Sequence, residues 1–291
     1  MGFMMMLVSG FTIIRNGVKF GYPFLESIRS LLPLVDELVI VAGDSVDSTN
    51  EALASLDSDK VKILQSVWDP ELRKGGLVMS QQTNLALDEC TGDWCFYLQA
   101  DEVIHEKDYD VIRASMKKHL DNPKVEGLYF RYRHFMGSYD ILNPLAYRHQ
   151  VRIVRNNIGI RSVRDACGFS RSNGKNMRVR IGYPIKGIEA DIYHYGWVRP
   201  PLVMQEKTNE FVTFYHGEYA SDDVEEGKEW LYNFSTCRPY VGTHPAAMHE
   251  VINKKDWDTP IFKFVPAWRN PAVWVTRLKK IGLFKAFKRK S

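Results

Sequence analysis

Four short apolar runs in the first half of the chain alternate with segments of helical spacing, and this order constrains the fold most. The runs are Phe11–Ile14, Leu38–Ala42, Val61–Leu64 and Trp94–Leu98. Between the first two, apolar residues from Phe24 to Leu32 recur at helical spacing after Pro23, a residue favoured in first turns. Ser48, with Glu51 three residues later, predicts a capping box at the start of the next helix. This alternation predicts an α/β fold, with helices on the faces of a mostly parallel sheet.

The second half of the chain has fewer regular patterns. Residues 109–120 have helical spacing, residues 128–135 alternate in polarity, and residues 150–155 predict a short strand. Residues 156–187 are rich in Gly, Asn and Arg and predict loops. The second half is therefore expected to be organised differently from the first.

Composition is typical of a globular protein and excludes few functions. The 291 residues are 45% hydrophobic and 25% charged, with a formal net charge of +4. This mild charge does not indicate nucleic-acid binding, because basic residues are concentrated only at the C-terminus. The cysteines lack metal-ligand spacing and are expected to be reduced and buried. The apolar N-terminus lacks the basic region and the cleavage site of a signal peptide. No apolar stretch is as long as a membrane-spanning helix. We therefore expect a cytoplasmic protein.

The fourth apolar run ends shortly before two adjacent carboxylates, Asp101 and Glu102. A buried strand of an open α/β sheet delivers the residues that follow it to the edge where ligands bind. Carboxylates at that edge can hold a divalent cation, and the cation can hold phosphates. The simpler alternative is an acidic pair at the N-terminus of the next helix.

Polar motifs follow the predicted strands in a specific order. They are Arg15-Asn16, Asp44-x-x-Asp47-x-Thr49, Gln82-x-Asn84 and Gln99-Ala100-Asp101-Glu102. This order resembles family-2 glycosyltransferases of the GT-A fold, and more narrowly the bacterial branch that builds lipopolysaccharide cores and other surface glycans. The resemblance covers residues 1–105 and continues more loosely through Ser162–Ala166 and Tyr193–Trp197.

The resemblance implies a role for each motif. The residues expected to contact a UDP- or GDP-linked sugar donor are Arg15, Asp44, Asp47, Gln82, Asn84, Gln99 and Asp101. It also implies that Asp101 and His194 hold Mn²⁺ or Mg²⁺, that Asp165 is the general base, and that Trp197 and Glu102 contact the acceptor. Each has a structural alternative: a turn or surface residue, an arginine-paired carboxylate for Asp165, or a core side chain for His194 and Trp197.

Two departures from the family pattern leave other functions open. Ala42-Gly43 stands where the family usually has two aspartates, and Gln99 replaces the first acid of Asp-x-Asp. Because a neutral amide is a weak metal ligand, a nucleotide-sugar-binding protein with weak or no catalysis is the main alternative. A peripheral membrane scaffold is another. A Rossmann-type oxidoreductase is disfavoured, since no Gly-x-Gly-x-x-Gly follows the first strand.

The resemblance and the C-terminal pattern together predict three parts. Residues 1–105 are expected to form the nucleotide-sugar-binding half of a GT-A domain, residues 106–215 its acceptor-binding half, and residues 216–291 a C-terminal helical extension. Residues 277–290 contain seven basic residues and no acidic one, and predict an amphipathic helix that lies on an anionic membrane. The expected acceptor is a glycan or a lipid-linked glycan in cell-surface polysaccharide biosynthesis, with inversion of the transferred sugar.

Overall fold

The protein is described by a computed structural model that covers residues 6–72, 74–177, 179, 184–216, 229–258, 264–271 and 273–275. Its strands are β1 (Val8–Ile14), β2 (Glu37–Ala42), β3 (Val61–Gln65), β4 (Trp94–Tyr97), β5 (Glu102–Ile104), β6 (Gly127–Met136), β7 (Ser138–Leu142), β8 (His149–Arg155), β9 (Arg161–Val163), β10 (Gly168–Ser170), β11 (Ile185–Trp197) and β12 (Arg238–Pro239). Its α-helices are α1 (Phe24–Leu31), α2 (Thr49–Ala54), α3 (Leu77–Asp88), α4 (Tyr109–His119), α5 (Pro201–His216) and α6 (His249–Asn253).

One large sheet joins the two predicted halves of the chain. Strands β3, β2, β1 and β4 lie side by side in parallel, and β8 continues the sheet antiparallel to β4. Beyond β8 lies β6, which also pairs in parallel with β11, and β11 pairs with β5. The predicted α/β fold class, a mostly parallel sheet flanked by helices, is confirmed, and antiparallel strands extend the sheet in the second half.

Helices cover both faces of the parallel strands. Ile28 and Leu31 of α1 belong to the apolar cluster on one face, which also contains Ile112 of α4. Ala86 and Leu87 of α3 belong to the cluster on the other face. Burial on both faces explains why β1, β2 and β4 are largely apolar in sequence, whereas β3, the last strand on this side of the sheet, is only partly buried.

The register of the sheet brings the carboxyl ends of β1, β2 and β4 to one edge. Ile14 pairs with Ala42 at the ends of β1 and β2, and Phe11 pairs with Tyr97 at the end of β4. The residues that follow these strands therefore leave the sheet side by side, which is where open α/β sheets bind ligands.

One local prediction was wrong. The helix predicted after Ser48 begins at Thr49, but Ser48 makes no side-chain capping hydrogen bond. Asp47 Oδ1 instead accepts from the backbone N–H of Thr49 at 3.1 Å. The described part of residues 156–187 consists mostly of turns and irregular backbone, as predicted, and also contains the short β9–β10 hairpin and the start of β11.

Within the part of the chain described, no helix combines the length and apolarity needed to span a bilayer. The predicted basic tail, residues 277–290, lies outside the described residues.

Candidate functional site

A cavity of about 350 Å³ opens beside the carboxyl ends of β1 and β4. It is walled by the end of β1, the turn after β4, the loop after β9, the end of β11 and one face of α5. Six of the residues predicted for the site line it: Arg15, Gln99, Asp101, Asp165, His194 and Trp197. The volume and partly apolar lining are those of a small-molecule site.

Asp101 is held at the inner end of this cavity. Its side chain is only 14% exposed, and Oδ2 lies 3.8 Å from His194 Nε2 and 3.9 Å from Lys207 Nζ. Burial acts to raise the pKa of Asp101, but its interactions with His194, Lys207 and Arg199 outweigh it, and the pKa is lowered. The carboxyl group is therefore ionised at neutral pH.

Glycine at position 196 allows this close arrangement. A Cβ atom on Gly196 would lie 2.6 Å from both Asp101 Oδ2 and His194 Cε1. No larger residue fits there without moving the carboxylate or the imidazole.

The hydrogen bonds of His194 indicate which of its nitrogens carries a proton. His134 Nε2 lies 2.8 Å from the carbonyl oxygen of Tyr147, so it must donate, and its Nδ1 is then the acceptor of the neutral ring. His194 Nδ1, 3.1 Å from His134 Nδ1, must therefore be the donor. Burial lowers the pKa of both rings, that of His134 to about 3, so both are neutral at pH 7. The lone pair on His194 Nε2 is left facing the Asp101 carboxylate.

Two electron-rich groups thus face each other across a gap that suits a cation. Asp101 and His194 fit the Mn²⁺ or Mg²⁺ that the resemblance implies, as one carboxylate oxygen and one imidazole nitrogen. No group of three His, Cys, Asp or Glu side chains that could hold a metal occurs among the described residues. A divalent cation here would need its remaining ligands from a bound phosphate and from water.

Lys207 of α5 is a cationic residue in the cavity lining that no sequence motif indicates. Its Nζ donates to the carbonyl oxygen of Gly196 at 2.8 Å and lies 5.0 Å from the centroid of the Tyr22 ring. Burial and repulsion by Arg199 lower the pKa of Lys207 to about 7, although Asp101 acts in the opposite direction. No strand-end motif marks this lysine, because α5 lies far from the donor motifs in sequence.

Gln99 and Glu102 are engaged by one buried arginine. Glu102 is fully buried, and its two carboxylate oxygens accept from Arg152 Nη2 and Nε at 2.8 and 2.9 Å. The hydroxyl of Tyr132 donates to the same carboxylate at 2.8 Å. Glu102 does not line the cavity, so the acceptor contact predicted for it does not fit the structure. The Gln99 amide oxygen accepts from Arg152 Nη2 at 3.1 Å, so the atom that could bind a cation already has a hydrogen-bond donor.

Arg15 lines the cavity, and two carboxylates hold it. Its Nε lies 3.0 Å from Asp44 Oδ1, and its Nη1 lies 3.0 Å from Glu210 Oε1 of α5. The guanidinium carbon is also 5.5 Å from the centroid of the Trp68 ring. Asp44 does not line the cavity itself; it positions Arg15 and accepts from the backbone N–H of Trp68.

Three predicted donor contacts lie away from the cavity. Asp47 accepts from the backbone N–H groups of Lys19 and Thr49 and so stabilises its own loop. Gln82 is buried on α3, and Asn84 exchanges two hydrogen bonds with the backbone of Ser162, at 2.8 and 3.1 Å. The direct donor contacts predicted for these three residues do not fit their positions, since their polar groups face the protein.

Asp165 reaches the cavity from a strained turn. Its neighbours Arg164 and Ala166 have φ angles of +58° and +57°, which are unfavourable for residues with a side chain. A Cβ atom on Gly76 would lie 3.0 Å from Asp165 Cβ, and Gly76 itself has a φ of +71°. The turn and this close packing fix the position of Asp165 in the lining of the cavity.

Trp197 forms part of the rim. Its side chain is 38% exposed, and its ring centroid lies 5.9 Å from that of Trp230. An exposed indole at the rim of a polar cavity can stack on the face of a sugar ring. The sugar contact predicted for Trp197 remains a prediction.

No family model matches the chain, and no curated protein matches it in sequence. Among solved structures, S. aureus TarS 1-349 in complex with UDP is similar, with a TM-score of 0.43 and 17% identity over 76% of this chain and 68% of that one. The same protein in complex with UDP-GlcNAc has a TM-score of 0.42 and 15% identity over the same shares. Mannosyl-3-phosphoglycerate synthase from Rubrobacter xylanophilus has a TM-score of 0.31 and 21% identity over 46% of this chain and 42% of that one. Likeness at this level assigns no activity, so the activity has to be inferred from the side chains that line the cavity.

Proposed function

We propose that this protein is a glycosyltransferase that moves a sugar from a nucleoside-diphosphate donor to a hydroxyl group of an acceptor. The observation that carries the proposal is the convergence of Arg15, Asp101, Asp165, His194 and Lys207 on one cavity at the carboxyl ends of β1 and β4. The set combines groups that bind anions, a gap for a cation and a facing carboxylate, which are the groups that sugar transfer from a diphosphate requires.

Each group has a chemical task in this proposal. A divalent cation held by Asp101 and His194 would stabilise the negative charge that develops on the diphosphate as the glycosidic bond breaks. Asp165 takes the proton of the attacking hydroxyl, which is a poor nucleophile without a base. Trp197 packs against a sugar at the rim, and Arg15 binds the nucleotide while Asp44 and Glu210 orient it.

The finer assignment extends the same proposal. The donor is a UDP- or GDP-linked sugar, and the acceptor is a glycan or a lipid-linked glycan in cell-surface polysaccharide biosynthesis. A single displacement by a base-activated hydroxyl inverts the configuration at the transferred carbon. An acceptor in a membrane would suit the amphipathic tail at 277–290, and binding of that tail to an anionic cytoplasmic surface stays a prediction.

A second candidate is a nucleotide-sugar-binding protein with little catalysis. The position of Gln99 favours it, because the amide oxygen is hydrogen-bonded to Arg152 and adds no charge beside Asp101. Asp101 would then attract the cation with one negative charge, where a pair of acidic residues would supply two.

Calorimetric titration with UDP and GDP, with and without Mn²⁺, tests whether the cavity binds a donor at all. We expect one nucleotide to bind, more tightly with Mn²⁺, and Asp101→Ala to abolish the metal-dependent part. Slow hydrolysis of the matching sugar nucleotide would support the transferase over the binding protein. If neither nucleotide binds, both candidates are refuted.

A further inference from the structure

We propose that Lys207 is a ligand of the donor diphosphate, and that until the donor arrives its ammonium neutralises Asp101 in place of the divalent cation. The cation then enters together with the nucleotide and not before it. This inference rests on the proposed function and names the residue that controls the order of binding in the same site.

The position of Lys207 suits an anion that enters the cavity. An ammonium group has three N–H donors, and one of them is used by the carbonyl oxygen of Gly196 at 2.8 Å. The side chain is 12% exposed and lines the cavity, so its remaining donors face Asp101 and the space where a ligand would lie. Arg15, in contrast, already has carboxylates at 3.0 Å on two of its nitrogens. Lys207 is therefore the lining cation with more capacity for a phosphate.

Lys207 and a divalent cation would share the same partner. Asp101 Oδ2 lies 3.9 Å from Lys207 Nζ and 3.8 Å from His194 Nε2, whose lone pair faces it. Arg199 adds a further positive charge, since its guanidinium also donates to the Gly196 carbonyl oxygen and is buried. A metal ion placed between Asp101 and His194 would be repelled by both basic groups, with one carboxylate to offset the repulsion.

A diphosphate removes this conflict. Its oxygens accept hydrogen bonds from Lys207 and at the same time supply ligands and negative charge to the cation. Nucleotide and metal therefore stabilise each other, and the coupling must be reciprocal. In the free protein Asp101 is paired with Lys207. When the donor is bound, its diphosphate pairs with Lys207, and Asp101 is then available to hold the divalent cation.

The first test compares UDP with UMP, which lacks the β-phosphate, by calorimetry in the presence of EDTA, with GDP and GMP in parallel. We expect Lys207→Met to reduce the preference for the diphosphate at least about tenfold, because one charge-assisted hydrogen bond is lost. Lys207→Arg should keep most of the preference. Lys62→Met is the matched control, since Lys62 is a half-exposed lysine paired with Glu89 at 2.5 Å, away from the cavity. An unchanged diphosphate preference in the correctly folded Lys207→Met protein would overturn the assignment.

The second test measures Mn²⁺ binding by electron paramagnetic resonance, without turnover. In the wild-type protein, UDP should raise the affinity for Mn²⁺ about tenfold or more. Without nucleotide, Lys207→Met should bind Mn²⁺ more tightly than the wild-type protein does. UDP should then raise the Mn²⁺ affinity of this variant by a smaller factor than in the wild type. Equal Mn²⁺ affinity of the two free proteins would overturn the competition for Asp101. If wild-type protein binds neither UDP nor GDP, the proposed function fails, and that result is distinct from both outcomes for Lys207.

Discussion

Loss of the buried Glu102–Arg152 pair should destabilise the protein without a specific effect on acceptor binding. Both side chains are fully buried, and Glu102 accepts two hydrogen bonds from Arg152, one from Tyr132 and one from the backbone N–H of Gln99. Glu102→Leu would leave the guanidinium of Arg152 in the interior without its counter-charge. Removal of one partner of such a pair costs about 3–5 kcal/mol, a large part of the ~5–15 kcal/mol that stabilises a typical domain.

Urea unfolding followed by tryptophan fluorescence measures this loss. The double variant Glu102→Leu/Arg152→Met should recover more than about 2 kcal/mol relative to Glu102→Leu, because the unpaired charge is then absent. Glu189→Gln is the matched control: Glu189 also pairs with an arginine, at 2.8 Å, but its side chain is 84% exposed. Its loss should cost less than about 1 kcal/mol.

Two results would refute this reasoning. A cost below about 1 kcal/mol for Glu102→Leu would show that Arg152 finds other partners or water. Strict additivity of the two single variants in the double variant would show that the two side chains do not interact energetically. A normal stability combined with a raised acceptor KM would instead restore the acceptor contact predicted from the sequence.

Two further predictions concern the base and the pH dependence. Asp165→Asn should bind UDP within about threefold of the wild type and lower turnover about a hundredfold or more, since the attacking hydroxyl loses its base; unimpaired turnover would contradict the role. Burial lowers the pKa of His244 from 6.5 to about 4, so the folded protein resists its protonation. The stability that depends on neutral His244 is complete above pH 6.5 and is lost as the pH falls toward 4. Acid unfolding of His244→Gln should have a shallower pH dependence in this window, and an unchanged dependence would show that His244 does not contribute.

The strand-end motifs predicted much of one wall of the cavity. Asp101 was found from the sequence because a buried strand of an open α/β sheet places the residues that follow it at the edge where ligands bind. The roles of Arg15, Asp165 and His194 were suggested by the resemblance, and all three residues line the cavity. Gln82 and Asn84 were also suggested by it, but the helix α3 turns them toward the protein, where Asn84 binds the backbone of Ser162.

The part of the cavity lining that α5 supplies could not be predicted from the sequence motifs. Helix α5 supplies Lys207 and Glu210, yet its pattern resembles that of many surface helices and no motif surrounds them. The long strand β11 was not predicted either, and it carries the buried His194 and the exposed Trp197 to the cavity. Contacts between segments this far apart depend on packing, which no local pattern encodes.

The sequence by itself determined the α/β class, the succession of the first four strands along the chain and the sheet edge near which Asp101 lies. These features follow from the spacing of apolar residues and from chain connectivity. Only the tertiary structure decided which acidic side chains line the cavity and which are buried in ion pairs within the protein. Asp101 and Glu102 are adjacent in the chain, yet one lines the cavity near Lys207 and the other is neutralised by Arg152. The physical reason is that the charge partners of the two acids, Arg152 and Lys207, come from the distant segments β8 and α5, whose positions are set by packing.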